Sequence, residues 1–243
     1  MHGFQDVKIN AGADKYSGKI EWRSPSNIAL IKYWGKSGDQ IPMNPSISMT
    51  LKYAFTQTEI EWSPREYPDN KGFDFYLSQN RVSTDFEKKV SALINRVAEK
   101  YPIIKELFFK INSINTFPHS TGIASSASGM SALALSLLSV IKEMGHFESN
   151  YDDFMKEASH FARLGSGSAC RSIYGPYAIW GNSANGSGND EYAMPFKPHD
   201  DFLTVYDSIL IFSKKPKKVG STAGHSLMNT HPYRNGRIAQ VKD

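Results

Sequence analysis

Three stretches of the sequence combine residue types that bind anions. The first, HSTGIASSASG, runs from His119 to Gly129 and continues into the apolar segment MSALALSLLSVI. A strand, a loop of small residues and a helix would bring backbone N–H groups and the positive end of the helix dipole together, which favours phosphate binding. Gly122 and Gly129 would let the backbone approach a ligand closely. Three hydroxyls could donate to phosphate oxygens or help to hold a metal ion, those of Ser125, Ser126 and Ser128.

This serine- and glycine-rich loop also has a simpler interpretation. It lacks the Gly-Lys-Ser/Thr of a Walker loop and does not match the dinucleotide-binding fingerprint. Serine and glycine are common at the ends of buried helices, so the loop could merely cap the segment that follows. Taken alone, it leaves both interpretations open.

The second stretch, SPSNIALIKYWGK, spans Ser24 to Lys36. Lys32 and Lys36 are compact charges suited to phosphate, and the Tyr33 hydroxyl could add a directional hydrogen bond. The alternative is a strand edge with solvated lysines, which is the usual state of lysine.

The third stretch, ARLGSGSACRSIYGPYAIW, spans Ala162 to Trp180. Arg163 and Arg171 bracket GSGSAC, which indicates a second small-residue loop beside guanidinium groups that can bind carboxylate or phosphate with two hydrogen bonds. Cys170 is better explained as a small buried residue than as a nucleophile.

The elements that must position these residues alternate between strands and helices. Alternating apolar residues predict strands over 18–24 and 46–62, and further strands over 107–115, 177–180 and 203–212. Apolar stripes predict three helices: one capped by Ser83 or Thr84 and ending near Lys100, one from Ser128 to Met144, and one from Asp152 to Ala162. The segment GNSANGSGND, Gly181 to Asp190, predicts a hairpin or a domain boundary.

The composition argues against several classes of protein. The chain has 243 residues, 40% of them hydrophobic, and a net charge of +4, which is too small to argue for nucleic acid. With Cys170 as its single cysteine, the chain can form no internal disulfide, which favours a reducing compartment. We found neither a signal peptide nor an apolar run of bilayer length, so we expect a cytoplasmic protein without a membrane partner.

Together the motifs resemble one family. NIALIKYWGK, NPSISMTL, STGIASSASG and GSGSACRSIYG are similar to, and in the same order as, the motifs of diphosphomevalonate decarboxylases of the GHMP kinase superfamily. The resemblance implies an α+β fold: an N-terminal domain like ribosomal protein S5 domain 2, then a C-terminal α+β domain, with the active site between them. We assign residues 1–190 to the first domain and 191–243 to the beginning of the second.

The resemblance also implies a reaction. Family members use MgATP to phosphorylate the 3-hydroxyl of mevalonate 5-diphosphate, and then lose phosphate and carbon dioxide to leave isopentenyl diphosphate. On the substrate side, Tyr33 and Lys36 would bind the diphosphate, and Lys32 would lie near the reacting hydroxyl. Arg171 would bind the carboxylate, and two serines would line the substrate end of the cleft, Ser166 and Ser168.

On the nucleotide side, the resemblance places the loop from Gly122 to Ser128 around the ATP phosphates. Asn44, Ser46 and Ser48 would lie beside the nucleotide, and Ser221 would lie near the γ-phosphate. Magnesium would be held mainly by the ATP phosphates, with Ser126 or Ser128 as possible protein contacts. Family members commonly form homodimers.

One departure from the family pattern keeps other functions open. The catalytic aspartate of the family lies in a segment of the kind DAGPN near the end of the second domain, and the sequence up to Asp243 contains no such segment. The leading hypothesis is an ATP-dependent decarboxylase. The alternatives are a kinase of mevalonate or phosphomevalonate that does not decarboxylate, and a non-catalytic nucleotide- or diphosphate-binding module.

Overall fold

The computed structural model describes residues 7–11, 16–67, 71–81, 85–118, 123–184, 186–210, 224 and 226–242. It is a mixed structure of helices and strands, as the sequence predicted. The strands are β1 Val7–Ala11, β2 Gly18–Ile31, β3 Lys36–Ser37, β4 Ile41–Pro42, β5 Ser46–Pro64, β6 Phe73–Leu77, β7 Asn80–Arg81, β8 Leu107–Asn115, β9 Tyr177–Trp180 and β10 Met194–Phe196. The helices are α1 Asp85–Lys100, α2 Ser125–Glu143, α3 Tyr151–Gly165 and α4 Arg234–Lys242, with 3₁₀ segments at Pro102–Glu106, Gly167–Ile173, Asp200–Thr204 and Leu227–Asn229.

The main sheet is built around β5. Its strand order is β1-β2-β5-β8-β6-β7, and the pairs are antiparallel except for β6 with β8. The second half of β5 pairs with β8, whereas its first four residues pair with β9, which in turn pairs with β10. The register between β2 and β5 shifts between Pro25 and Ser26. Pro25 pairs with Phe55, whereas Ser26 pairs with Leu51. This irregularity divides β5 into a part over the core and a part beside the third motif.

The core lies between this sheet and helices α1, α2 and α3. Alternate residues of β5 are buried, Thr56, Thr58, Ile60 and Trp62. This is the period-2 pattern that the sequence predicted. The predicted stripe of α1 is buried as well at Val90, Leu93, Ile94 and Val97. Each such side chain contributes about 1.5–3 kcal/mol by leaving water, so the paired faces stabilise both layers.

Helix α2 is the central core helix. It begins at Ser125, three residues before the predicted start, and its residues from Ala127 to Ile141 are buried. Its length and composition would suit a membrane span, but 83% of its most apolar 18-residue stretch is buried inside the protein. Gly129 lies against α1, since a Cβ there would be 3.0 Å from Phe86 Cζ. The glycine therefore allows close helix packing, and its contact with a ligand stays a prediction.

Three local predictions have different outcomes. The hairpin at Gly181–Asp190 is confirmed, because β9 and β10 pair on either side of it. The strand over 203–212 is wrong where it is described: residues 200–204 form a 3₁₀ turn and 205–210 pair with no described strand. Alternating apolar residues favour a strand, but a strand also needs a neighbouring backbone. Residues 211 and 212, and the proposed caps Ser83 and Thr84, lie outside the described residues, and the domain boundary at 190 stays a prediction.

Candidate active site

Arg171 is the centre of the candidate site. It lies in the 3₁₀ segment Gly167–Ile173, where the sequence predicted a loop, and only 2% of it is exposed. Its Nε donates to Ser48 Oγ at 3.0 Å, its Nη1 to Ser46 Oγ at 2.6 Å and its Nη2 to Asn27 Oδ1 at 3.4 Å. Three segments that are distant in sequence, β2, β5 and this 3₁₀ turn, therefore meet on one guanidinium.

Aromatic rings surround Arg171, but its described hydrogen-bond partners include no negative charge. Its Cζ lies 5.7 Å from the ring centre of Tyr33 and 5.6 Å from that of Trp180. Burial lowers the pKa of the guanidinium, opposed by Cys170 and Tyr33. Among the described residues, its hydrogen bonds go only to neutral oxygens. Because a buried charge without a counter-charge is costly, this arrangement suits an anionic ligand.

Asn27 is a site residue that the sequence analysis did not identify. Its Nδ2 donates to Ser172 Oγ at 2.8 Å and to the Ser168 carbonyl at 3.1 Å, while its Oδ1 accepts from Arg171. Ser24, on the same strand, donates to the Ser172 carbonyl at 3.0 Å. The available signal was three polar residues, Ser24, Ser26 and Asn27, in the otherwise apolar segment SPSNIALI.

The segment 32–36 is held in place by Asn44. The Asn44 side chain accepts from the Trp34 N–H at 2.8 Å and donates to the Lys32 carbonyl at 3.0 Å. Lys32 itself is exposed. Its ammonium therefore faces solvent at the end of β2, where a ligand can reach it.

Tyr33 and Lys36 approach the turn that carries Arg171. A Cβ at Gly167 would lie 3.4 Å from Tyr33 Oη and 3.5 Å from Gln40 Oε1, and Lys36 Nζ donates to that same Gln40 oxygen at 2.5 Å. Burial raises the pKa of Tyr33 to about 12, so its hydroxyl stays a neutral donor. Burial, and secondarily Lys89, lowers the pKa of Lys36. The Tyr33 hydroxyl and the Gln40 oxygen that accepts from Lys36 thus both lie beside Gly167.

The two serines predicted for the substrate end of the cleft flank this glycine. Ser166 ends α3, with its N–H on the Ala162 carbonyl at 2.9 Å, and Ser168 offers its carbonyl to Asn27. Both residues are half-buried. The structure therefore brings five predicted substrate residues into one region, Tyr33, Lys36, Ser166, Ser168 and Arg171.

The residues predicted for the nucleotide are found in two places. Ser46 and Ser48 are fully buried and accept from Arg171, and Asn44 holds the segment 32–36, so the contacts shown for these three residues are on the substrate side. Their contact with a nucleotide stays a prediction. Gly122 and Ser221 lie outside the described residues.

The start of α2 has some features of an anion-binding site. Among the described residues no side chain caps its first turn, and Ser125 and Ser126 are half-buried. Ser128 is buried, with its Oγ 2.6 Å from Thr56 Oγ1, so this hydroxyl holds α2 against β5. The described residues contain no cluster of three His, Cys, Asp or Glu side chains that could hold a metal ion. A protein contact with magnesium through Ser126 or Ser128 stays a prediction.

Comparison with known proteins identifies the family. Residues 24–193 match the model of the diphosphomevalonate decarboxylase-like N-terminal domain. The diphosphomevalonate decarboxylase of Ganoderma lucidum is 32% identical over 90% of this chain and 55% of its own length, and that of Candida albicans is 33% identical over 90% and 60%. The chain thus spans little more than half the length of these relatives.

Solved structures agree with this assignment. The mevalonate diphosphate decarboxylase of Staphylococcus aureus has a TM-score of 0.70 and 33% identity, covering 93% of this chain and 64% of its own. A second neighbour, MDDEF in complex with MVAPP, AMPPCP and magnesium, has a TM-score of 0.71 and 31% identity, with the same coverage. The chain belongs to the family of diphosphomevalonate decarboxylase-like N-terminal domains, in the GHMP superfamily.

Proposed function

We propose that this chain carries the substrate- and ATP-binding domain of an ATP-dependent decarboxylase that converts mevalonate 5-diphosphate into isopentenyl diphosphate. In this reaction the 3-hydroxyl receives the γ-phosphoryl group of ATP. The phosphate then leaves with its bonding electrons, and the electrons of the broken bond to the carboxylate form the new double bond as carbon dioxide departs. The buried Arg171, with no carboxylate among its described partners, is the observation that carries the proposal.

Arg171 supplies the carboxylate site in this proposal. Ser46, Ser48 and Asn27 hold three of its nitrogens, and the ring systems of Tyr33 and Trp180 limit its movement. A guanidinium fixed in this way can offer an edge of its planar fork to a carboxylate. Fixing the carboxyl group lets its C–C bond align with the departing phosphate.

Tyr33 and Lys36 supply the diphosphate site. The Gln40 oxygen on Lys36 Nζ is a neutral acceptor, and a diphosphate oxygen would be a stronger one. Gly167 adds to the site because a side chain there would meet Tyr33 and Gln40. In this proposal the exposed Lys32 approaches the reacting hydroxyl and the transferred phosphoryl group.

The start of α2 would bind the ATP phosphates. Backbone N–H groups at the start of a helix can bind phosphate, and Ser125 and Ser126 stand at this start. Magnesium on the phosphates would neutralise charge during phosphoryl transfer. The neighbour MDDEF, solved with AMPPCP and magnesium, supports this cofactor pair for the family. We further propose a homodimer and a cytoplasmic location, the latter supported by the single cysteine.

The test is binding followed by product analysis. Isothermal titration calorimetry should show that the chain binds mevalonate 5-diphosphate more tightly than mevalonate, and that it binds MgATP. A reaction mixture with MgATP and mevalonate 5-diphosphate should release ADP and carbon dioxide in equal amounts wherever turnover occurs. ADP without carbon dioxide would instead identify a kinase. Binding of neither ligand would reject the proposal.

A further inference from the structure

A small hairpin carries Lys36, and it needs support from elsewhere. Strands β3 and β4 form a two-stranded sheet separate from the main one, pairing Lys36 with Pro42 and Ser37 with Ile41. We call residues 36–42 the Lys36 hairpin. Its turn contains Gln40 in a left-handed conformation, with φ of 63°. A hairpin whose strands have only two residues each does not persist in water without further contacts.

Arg163 provides such a contact from inside the protein. Its side chain, at the end of α3, is 2% exposed. Nη1 donates to the Asp39 carbonyl, and Nε donates to the Glu191 carbonyl at 2.6 Å. The buried guanidinium therefore joins the tip of the Lys36 hairpin to the segment that leads into β10. Burial lowers its pKa, opposed by Cys170, Glu191, Asp39 and Asp190.

Another arginine contacts the same turn from the surface. Arg96 Nη2 lies 2.9 Å from the Asp39 carboxylate, and both side chains are largely exposed. Exposed ion pairs contribute little to stability, whereas buried hydrogen bonds from a charged donor contribute more. Arg163 is thus the main anchor of this turn among the described contacts, and Arg96 serves as its natural control.

We infer that Arg163 is a positioning residue: by fixing the Asp39 carbonyl it holds the Lys36 hairpin against the turn that carries Arg171, so that the Lys36 ammonium stays aimed at the diphosphate. This inference rests on the proposed function. Arg163 does not touch the ligand in this arrangement. It acts through Gln40, whose Oε1 accepts from Lys36 and lies near Tyr33 and Gly167.

The test measures how strongly each variant prefers mevalonate 5-diphosphate to mevalonate. It uses three single variants and one double variant that combines Lys36→Met with Arg163→Lys. Calorimetry or NMR titration gives the dissociation constants of mevalonate 5-diphosphate and of mevalonate, and their ratio is the discrimination. Lys36→Met should lower the ratio about tenfold or more. Arg163→Lys should lower it by a similar factor with little change in mevalonate affinity, whereas Arg96→Lys should leave it unchanged. The double variant should lose no more than Lys36→Met alone, because both changes remove one interaction.

The outcomes separate the inference from the function. A wild-type chain that does not discriminate would overturn the diphosphate site and the inference together. Discrimination that depends on Lys36 but not on Arg163 would overturn the inference alone. Equal weakening of both ligands, or additive losses in the double variant, would make Arg163 a general structural residue and also overturn it.

A second measurement needs no variant, in case Arg163→Lys does not fold. Amide hydrogen exchange of the wild-type chain should show Gln40 and Met43, whose N–H groups bond to the Gly38 and Gly35 carbonyls, to be far better protected than Gly186. The Gly186 N–H bonds to Ser183 in a comparable turn without a buried anchor among its described contacts. Equal, rapid exchange at both turns would show that Arg163 does not hold the hairpin.

Discussion

Arg171 Nη1 lies 2.6 Å from the hydroxyl oxygen of Ser46, a residue 125 positions earlier in the chain. This bond joins the third motif to the first residue of β5 and orients a buried guanidinium without neutralising it. The charge is therefore fixed in place before any ligand arrives, which reduces the cost of ordering on binding.

Replacing Arg171 tests whether this orientation serves catalysis. In a form of the enzyme that turns over, Arg171→Lys should keep more substrate affinity than Arg171→Ala, because lysine keeps the charge but loses the planar fork. Both variants should turn over more slowly. For alanine we expect the activation free energy to rise by about 2–4 kcal/mol, which slows turnover roughly 30- to 1000-fold. Carbon dioxide release and melting temperature should be measured on the same samples. A destabilised but fully active alanine variant would assign Arg171 a structural role.

Asn27 should matter for stability as well as for the site. Asn27→Ala removes the donor to Ser172 and Ser168 and leaves buried groups unpaired, so we expect a loss of about 1–3 kcal/mol in the free energy of unfolding. Urea denaturation measures it. Gln57→Ala, on the half-buried outer face of β5, is a comparison expected to cost less. An unchanged stability for Asn27→Ala would contradict the network.

The phosphate loop can be separated from helix packing with two glycines. Gly122→Val should hinder backbone approach and weaken MgATP binding while the fold survives. Gly129→Ala should change the melting temperature through its contact with Phe86 and leave MgATP affinity unchanged. Calorimetry with MgATP and thermal denaturation test both variants. Normal ATP affinity in Gly122→Val would indicate that the loop only caps α2.

The lowered pKa of Lys36 predicts a pH dependence. A lysine whose free-state pKa is below 10.5 loses its proton at a lower pH than usual, and diphosphate binding favours the protonated form. Affinity for mevalonate 5-diphosphate should therefore fall as the pH rises through that lowered pKa, with proton uptake on binding. Lys36→Arg should remove this alkaline fall, since arginine stays charged. Calorimetry in buffers of different ionisation enthalpy measures the proton uptake, and an identical profile for the arginine variant would exclude Lys36 as its source.

Turnover by the 243-residue chain is expected to be slow or absent. Phosphoryl transfer needs a group that orients or deprotonates the attacking hydroxyl, and the family segment expected to supply it is not found up to Asp243. Large apolar side chains are exposed between Phe202 and Leu210, among them Leu203, Val205 and Ile209. Steady-state release of ADP and carbon dioxide at ordinary enzyme rates by the purified chain would contradict the expected role of that segment.

The sequence by itself determined the local chemistry and most elements. Period-2 burial in β5, the apolar stripe of α1 and the apolar run of α2 follow from the spacing of their residues, and these predictions are confirmed. The family also followed from four short motifs in order, because their residue types are constrained by ligand chemistry. The predicted strand failed over its described residues, 203–210, because pairing depends on a neighbouring backbone that a local pattern does not contain.

Only the tertiary structure decided which residues meet. Ser46 and Ser48 belong to a motif assigned to the nucleotide, yet pairing of β5 with β9 carries them to Arg171. Asn27 and Arg163 stand in the quoted motifs, but their partners lie more than 100 positions away, and Arg163, predicted beside an anion, donates instead to the Asp39 carbonyl. Such contacts are set by strand register and helix packing over the whole chain, so spacing within one segment cannot predict them.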